Sequence, residues 1–174
     1  MGSTTEKVVR EIAIPLLTVG EACRRLVAGD GRAARLEVRR ILCAADDPKQ
    51  PGTNLAAVAE LARAFGAALT VLHSLEVPRW LGSVPAAVRE DIVGHLRELV
   101  GRHAADLNAK VVVPMGPAYS RILEQAVADE ADLVVIGGRV PESAMPVFGS
   151  TAVRVMRQAR CPVLALPGSG GSSA

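Results

Sequence analysis

Residues 131–166 read ADLVVIGGRVPESAMPVFGSTAVRVMRQARCPVLAL, and this stretch decides the fold. Two short, mainly apolar segments, residues 132–136 and 162–166, predict buried β-strands. Between them lie a loop that contains glycine and proline, residues 137–148, and a predicted helix at 150–158. A strand, a helix and a second strand in this order predict a right-handed crossover between parallel strands.

The same alternation of strands and helices extends back to residue 38, which predicts the α/β class with a parallel sheet. Only four residues are aromatic, so Val, Ile, Leu and Ala must fill the core, as they do in parallel strands that are buried on both faces. Ligands bind at the carboxyl ends of such strands, here in loops 45–53, 74–84 and 137–149. The further strands are predicted at 38–44, 68–74 and 110–113, and the further helices at 54–65, from Pro85 onward and at 117–129.

One segment of the chain occurs twice. Residues 2–19, GSTTEKVVREIAIPLLTV, match residues 149–166 at 7 of 18 positions without a gap. We therefore interpret residues 1–20 as the last helix and strand of a preceding unit. The apolar strand 15–19 would leave an open edge by itself, so we expect it to pair with strand 162–166 of its own chain or of another. Residues 21–37 would form a linker, with a helix over 21–27.

Composition excludes several classes of function. Twenty basic and 18 acidic residues give a net charge of +2, which is too balanced for a protein that binds nucleic acid or an anionic membrane. No apolar stretch has the length of a membrane span, and the polar start does not resemble a signal peptide. Cys23, Cys43 and Cys161 form no CxxC motif, so we expect reduced thiols in a cytoplasmic protein. No motif for metal binding or nucleophilic catalysis is present. We therefore predict that the protein has no catalytic residues and no metal site and that it is not an enzyme.

Several segments together resemble the universal stress protein family. The resemblance covers residues 38–166 and is most specific in the last forty positions. The segments that carry it are ILCAAD at 41–46, ALTVLH at 68–73, MGP at 115–117, ADLVVIG at 131–137, Gly149-Ser150 and RCPVL at 160–164. Residues 38–167 would then form a universal stress protein domain, residues 1–20 would be the end of a preceding unit of the same kind, and 168–174 would be a flexible tail.

The resemblance implies a flavodoxin-like, doubly wound sheet of five parallel strands in the order 3-2-1-4-5, with the extra N-terminal helix and strand at its edge. Members of the family often form dimers through the fifth strand, which predicts a homodimer through strand 162–166, strand 15–19 or both. One branch binds ATP with the pattern Gly, two residues, Gly, nine residues and Gly-Ser or Gly-Thr. Glycines let the backbone approach phosphate, and a helix N-terminus offers free N–H groups.

Transferred residue by residue, this pattern makes Asp46 the acid beside adenine, Gly137 the first glycine, and Gly149 and Ser150 the phosphate turn. The second glycine is replaced by Val140, and only eight residues separate it from Gly149; Gly138 and Arg139 are the residues that could compensate. The candidate site for ATP or AMP, with Mg²⁺ accompanying ATP, consists of Ala44, Ala45, Asp46, Ser74, Ile136, Gly137, Gly138, Arg139, Gly149, Ser150 and Thr151.

Three functions remain open at this point. The first is a non-enzymatic module of the stress response that binds a nucleotide through an altered phosphate loop. The second is a module of the same fold that binds no nucleotide and acts by dimerisation. The third is a slow ATPase. Asp46 could merely begin a turn, and Ser150 could merely cap a helix.

Overall fold

A computed structural model describes residues 14–20, 23, 27–28, 35–45, 54–76, 84–137 and 148–167. Within them, a helix begins after each of β4, β5, β6 and β7, as the predicted alternation requires. The strands are β1 Leu16–Thr18, β2 Val27–Ala28, β3 Arg35–Leu36, β4 Arg40–Ala44, β5 Ala68–Leu72, β6 Lys110–Val112, β7 Leu133–Gly137 and β8 Val163–Leu166. The helices are α1 Leu55–Phe65, α2 Ala86–His103, α3 Ala118–Ala128 and α4 Ser150–Gln158, with a short 3-10 turn at Ala105–Leu107.

The main sheet has six strands in the order β1-β8-β7-β4-β5-β6. All neighbours pair in parallel except β1, which runs antiparallel to β8. Counted from β4 as the first strand of the domain, the order is 3-2-1-4-5, so the predicted α/β sheet is confirmed. The additional strand lies beside the fifth strand, as expected, and here it belongs to the same chain.

The pairing of β1 with β8 follows the symmetry of the repeated segment. Leu17 lies opposite Leu164, its counterpart in the repeat. Leu16 lies opposite Ala165, which is the counterpart of Thr18 in the repeat. Thr18 in turn lies opposite Val163, which is the counterpart of Leu16. This is the reciprocal pattern of an interface with two-fold symmetry, although both strands belong to one chain.

The parallel strands are buried on both faces because helices cover the sheet on two sides. Leu42 and Val134 face a cluster that contains residues of α3 and α4. Their neighbours Ile41 and Val135 face a second cluster, with residues of α1 and α2. Alternate aliphatic side chains thus enter two different cores, which explains the unbroken apolar runs.

The ends of the helices follow the turn residues of the sequence. Gly66 ends α1 in the left-handed region, at φ 62°, a conformation that glycine adopts without a steric cost. Pro85, Pro117 and Gly149 precede the first residues of α2, α3 and α4.

The helix expected over residues 21–27 is wrong at its last residue. Val27 belongs instead to a short antiparallel pair of strands and lies opposite Leu36. Residues 21, 22 and 24–26 of that expected helix lie outside the described residues. Residues 1–13, which contain most of the first copy of the repeated segment, and the tail at 168–174 also lie outside the described residues.

Candidate functional site

A cavity of about 360 Å³ opens at the carboxyl ends of β4, β5 and β7, beside the start of α4. This is where an open parallel sheet binds ligands, next to the point at which the strand order reverses. Its volume falls in the lower part of the range for small-molecule sites, roughly 300–1,000 Å³. The wall consists of Ala44, Ala45, Leu72, His73, Ser74, Ala118, Ile122, Ile136, Gly137, Gly149, Ser150, Thr151 and Ala152.

Eight of the eleven candidate residues line this cavity. They come from four separate segments of the chain and are Ala44, Ala45, Ser74, Ile136, Gly137, Gly149, Ser150 and Thr151. The other three, Asp46, Gly138 and Arg139, lie outside the described residues, as does Val140.

Backbone hydrogen bonds continue the sheet into the loops that form the wall. The N–H of Ala45 donates to the carbonyl of Leu72 at 2.8 Å, and that of His73 donates to the carbonyl of Val112 at 3.1 Å. The ends of β4, β5 and β6 are therefore fixed relative to one another.

Two side chains join the loop after β5 to the start of α3. The Ser74 hydroxyl donates to the carbonyl of Gly116 at 2.7 Å, and Glu76 Oε1 accepts the N–H of Ala118 at 3.0 Å. Glu76 thus supplies a partner for one of the first N–H groups of α3, which have none within the helix. Ser74 contributes to the shape of the wall through this bond.

Sequence reasoning did not assign five of the lining residues to the site. His73 continues β5, and its Nδ1 lies 3.2 Å from the carbonyl oxygen of Ala45. Ala118 and Ile122 belong to the helix that begins after the Gly-Pro pair at 116–117, and this pair was the signal that could have indicated them. Of the remaining two, Ala152 directly follows the candidate residue Thr151, and Leu72 lies two positions before the candidate residue Ser74.

The start of α4 forms one side of the cavity. Gly149 is the residue before the helix and has no side chain with which to cap it, and no side-chain cap hydrogen bond is made there. Ser150 is the first helical residue, so the interpretation of Ser150 as a helix cap receives no support. A methyl group added at Gly149 would meet no atom within 4 Å. The free N–H groups and the positive end of the helix dipole suit an anion such as phosphate.

A larger groove of about 510 Å³ lies between the last turns of α3 and α4 and reaches Cys161, just before β8. It is at the amino ends of the strands, where sheets of this class do not place their ligands. For this reason the smaller cavity is the candidate site.

The described residues include no group of three or more His, Cys, Asp or Glu side chains that could hold a metal ion. Within the same part of the chain, no helix combines the length and hydropathy that crossing a membrane requires.

Comparison with known proteins agrees with the topology. The sequence model of the universal stress protein family matches residues 37–167. A curated relative from Thermus aquaticus, described as the universal stress protein in the QAH/OAS sulfhydrylase 3′ region, is 34% identical over 119 residues, which are 63% of this chain and 85% of the relative.

Solved structures share the fold. A universal stress protein from Archaeoglobus fulgidus DSM 4304 has a TM-score of 0.66 and 19% identity, over 95% of this chain and 55% of that one. This chain thus spans little more than half the length of that protein. A universal stress protein in complex with cAMP has a TM-score of 0.58 and 21% identity, over 76% of this chain and 99% of that one. Because the family match contains β4 to β8 and all four described helices, this chain belongs to the universal stress protein family.

Proposed function

We propose that the protein is a non-enzymatic, cytoplasmic module of the stress response that binds ATP or AMP in the cavity beside α4. One observation carries the proposal. The Gly-Ser-Thr turn at 149–151 and the ends of β4 and β5 line the same cavity, although they are distant in sequence. A nucleotide needs this combination of an anion-binding helix start and a mainly apolar wall.

Each side of the cavity suits a different part of the ligand. The N–H groups of Gly149, Ser150 and Thr151 would hold a phosphate, and Gly137 would let the backbone approach it. The small or aliphatic side chains of Ala44 and Ile136 offer apolar surface to the base. The related protein in complex with cAMP supports a nucleotide as the class of ligand.

Residues outside the described part of the chain would complete the proposed site. Asp46 would accept a hydrogen bond from the adenine amino group. Gly138 and Arg139 would contact the phosphates, with Mg²⁺ bound to those of ATP. We propose no hydrolytic step, because the sequence contains no motif for nucleophilic or metal-dependent catalysis.

The pairing of β1 with β8 favours a second candidate, an interaction module that forms a homodimer. Its reciprocal register, with Leu17 opposite Leu164, has the form of a contact between two copies of the fifth strand. A dimer through β8 requires β1 to leave that edge, whereas a dimer through the outer edge of β1 does not. Leu17 in β1 is half-exposed, and Val19, which directly follows Thr18 at the end of β1, is largely exposed. Both apolar side chains are therefore accessible to a second copy of the chain.

Thermal melting with and without ATP–Mg²⁺ or AMP tests nucleotide binding. A ligand at about 100 times its Kd adds about 2.7 kcal/mol to the free energy of unfolding. For a chain of this length, that raises the melting temperature by roughly 5–10 °C. No change at millimolar nucleotide would refute the first function and leave the second.

Two variants assign such binding to the cavity. Gly149→Ala meets open space in the protein but places a methyl group where phosphate would approach, so we expect at least about tenfold weaker binding, a change of about 1.4 kcal/mol. Ser150→Arg should abolish binding. Gly94→Ala is the control, since it adds the same methyl group in α2 with no atom within 4 Å. Equal affinities for the Gly149 and Gly94 variants would place the nucleotide elsewhere.

A further inference from the structure

Two hydrogen bonds join Gly20 and Cys23, which follow β1. The N–H of Cys23 donates to the carbonyl of Gly20 at 3.0 Å. The N–H of Gly20 in turn contacts the sulfur of Cys23 at 3.1 Å. The thiol of Cys23 is therefore held against the backbone of Gly20, two residues past the end of β1.

The register of the sheet brings this thiol to Cys161. Thr18 is opposite Val163 in the last step of the pairing, and the same register, extended by two residues along each chain segment, would bring Gly20 opposite Cys161. Opposed residues of antiparallel strands have Cβ atoms about 4.5–5.5 Å apart. Gly20 has no Cβ of its own, and the sulfur of Cys23 lies 3.8 Å from where one would be. In the extended register, Cys23 would take the place of the missing side chain across from Cys161.

Both thiols lie on the same face of the sheet. Side chains alternate along a strand, so position 20 shares a face with Leu16, and Cys161 shares a face with Val163 and Ala165. Cys161, Val163 and Ala165 belong to the core cluster on the side of α3 and α4, and Leu16 packs against that cluster. The sulfur atoms are therefore not separated by the sheet.

The electrostatics agree with this proximity. Burial, with a smaller contribution from the interaction with Cys23, raises the pKa of the Cys161 thiol to about 11. Cys161 is only 5% exposed, whereas Cys23 is half-buried. Cys23 is therefore the more accessible of the two thiols to an oxidant in solution.

We propose that Cys23 and Cys161 are an oxidation site, at which a hydroperoxide links them in a disulfide that fastens the segment after β1 to the start of β8. The Cys23 thiolate attacks the peroxide oxygen, the O–O bond breaks, and a sulfenic acid and hydroxide form. The Cys161 sulfur then displaces the hydroxyl group, which leaves as water, and the S–S bond forms. In total, two thiols and one hydrogen peroxide give one disulfide and two waters, so sulfur is oxidised and peroxide is reduced.

The disulfide would give the edge of the sheet two states. In the reduced chain, β1 is held by its short pairing with β8 and by the packing of Leu16. In the oxidised chain, a covalent bond at one end of that pairing would prevent β1 from leaving β8. Oxidation would therefore stop any association that requires the β8 edge to be open.

Peptide mapping of the full-length chain tests the proposal. The protein is treated with hydrogen peroxide, its remaining thiols are alkylated under denaturing conditions, and it is digested with trypsin without reductant. We expect the peptide of residues 11–24 to be joined to that of residues 161–174 through Cys23 and Cys161, with about 2 Da lost. The peptide of residues 41–49 should carry an alkylated Cys43.

The third cysteine supplies the matched control. Cys43→Ser should retain the cross-link, and Cys23→Ser should abolish it. Because Cys23 is half-buried, its substitution leaves the core intact, and unchanged melting of the reduced variant checks this. No linked peptide in the wild-type chain would overturn the proposal, as would a link from Cys23 to Cys43. A link found only in covalent dimers would equally overturn a disulfide within one chain.

Discussion

Asp132 joins the starts of the neighbouring strands β4 and β7, and its removal should lower the free energy of unfolding. Its Oδ2 accepts the backbone N–H groups of Arg39 and Arg40, both at 2.9 Å. Its own N–H donates to the carbonyl of Arg40 at 2.9 Å. These bonds hold the start of β4 against β7 across more than 90 residues of sequence. We predict that Asp132→Ala weakens the whole domain, since β4 and β7 are the two central strands.

The size of the effect follows from the two lost bonds. A hydrogen bond to a charged acceptor contributes about 1.5–3 kcal/mol. The bond from Arg40 is partly buried, and the bond from Arg39 is exposed, so water can replace its acceptor. We therefore expect Asp132→Ala to lower the free energy of unfolding by about 3 kcal/mol, and Asp132→Asn, which keeps an acceptor oxygen, by about 1 kcal/mol.

Glu130→Gln is the control for lost charge. Glu130 forms an ion pair with the side chain of Arg40 at 2.8 Å, but the two side chains are 55% and 43% exposed. Such a pair contributes less than about 1 kcal/mol. Urea unfolding at constant m-value measures all three variants. If Asp132→Ala were no less stable than Glu130→Gln, the hydrogen bonds to Asp132 would not hold the strands together.

Three further predictions concern other parts of the fold. Arg63 hydrogen-bonds Asp106 and lowers the pKa of that carboxyl from 3.8 to about 2. The stability contributed by this interaction is present above about pH 4 and is lost as the pH falls toward 2. Between about pH 4 and pH 2, the melting temperature should therefore fall more steeply in the wild type than in Asp106→Asn. Gly66→Ala should cost about 1 kcal/mol at φ 62°, whereas Gly94→Ala inside α2 should raise stability in urea unfolding. Deleting residues 1–20 opens the β8 edge, so light scattering should detect association; a monomer of unchanged solubility would contradict this.

The order of the sheet was predictable because its physical cause is visible in the sequence. Strands buried on both faces need unbroken aliphatic runs, and the strand predicted at 132–136 corresponds to β7, in which Leu133 to Ile136 are all buried. The place of β1 beside β8 was also predictable, since residues 15–19 repeat residues 162–166. The register was not predicted, because two apolar strands of this length can slide past each other until the surrounding core fixes them.

The candidate site was predicted in part for a similar reason. Parallel strands bring their carboxyl ends to one edge, so Ala44, Ser74 and Gly137 could be grouped without a structure. His73 and Ile122 were missed because the direction of a side chain at a strand end or on a helix depends on tertiary packing. The proposed oxidation site of Cys23 and Cys161 could not be inferred from the sequence, because 138 positions separate the two cysteines and they form no local motif.

The most direct test of nucleotide binding is the response of backbone amide NMR signals to ATP–Mg²⁺. We expect the amide signals of Gly137, Gly149, Ser150 and Thr151 to shift together and to saturate, while the signal of Gly94 does not move. AMP should shift the amides near Ala45 and have less effect on residues 149–151, since it carries one phosphate. An absence of shifts at millimolar ATP, or shifts confined to the groove at Cys161, would contradict nucleotide binding in the cavity beside α4.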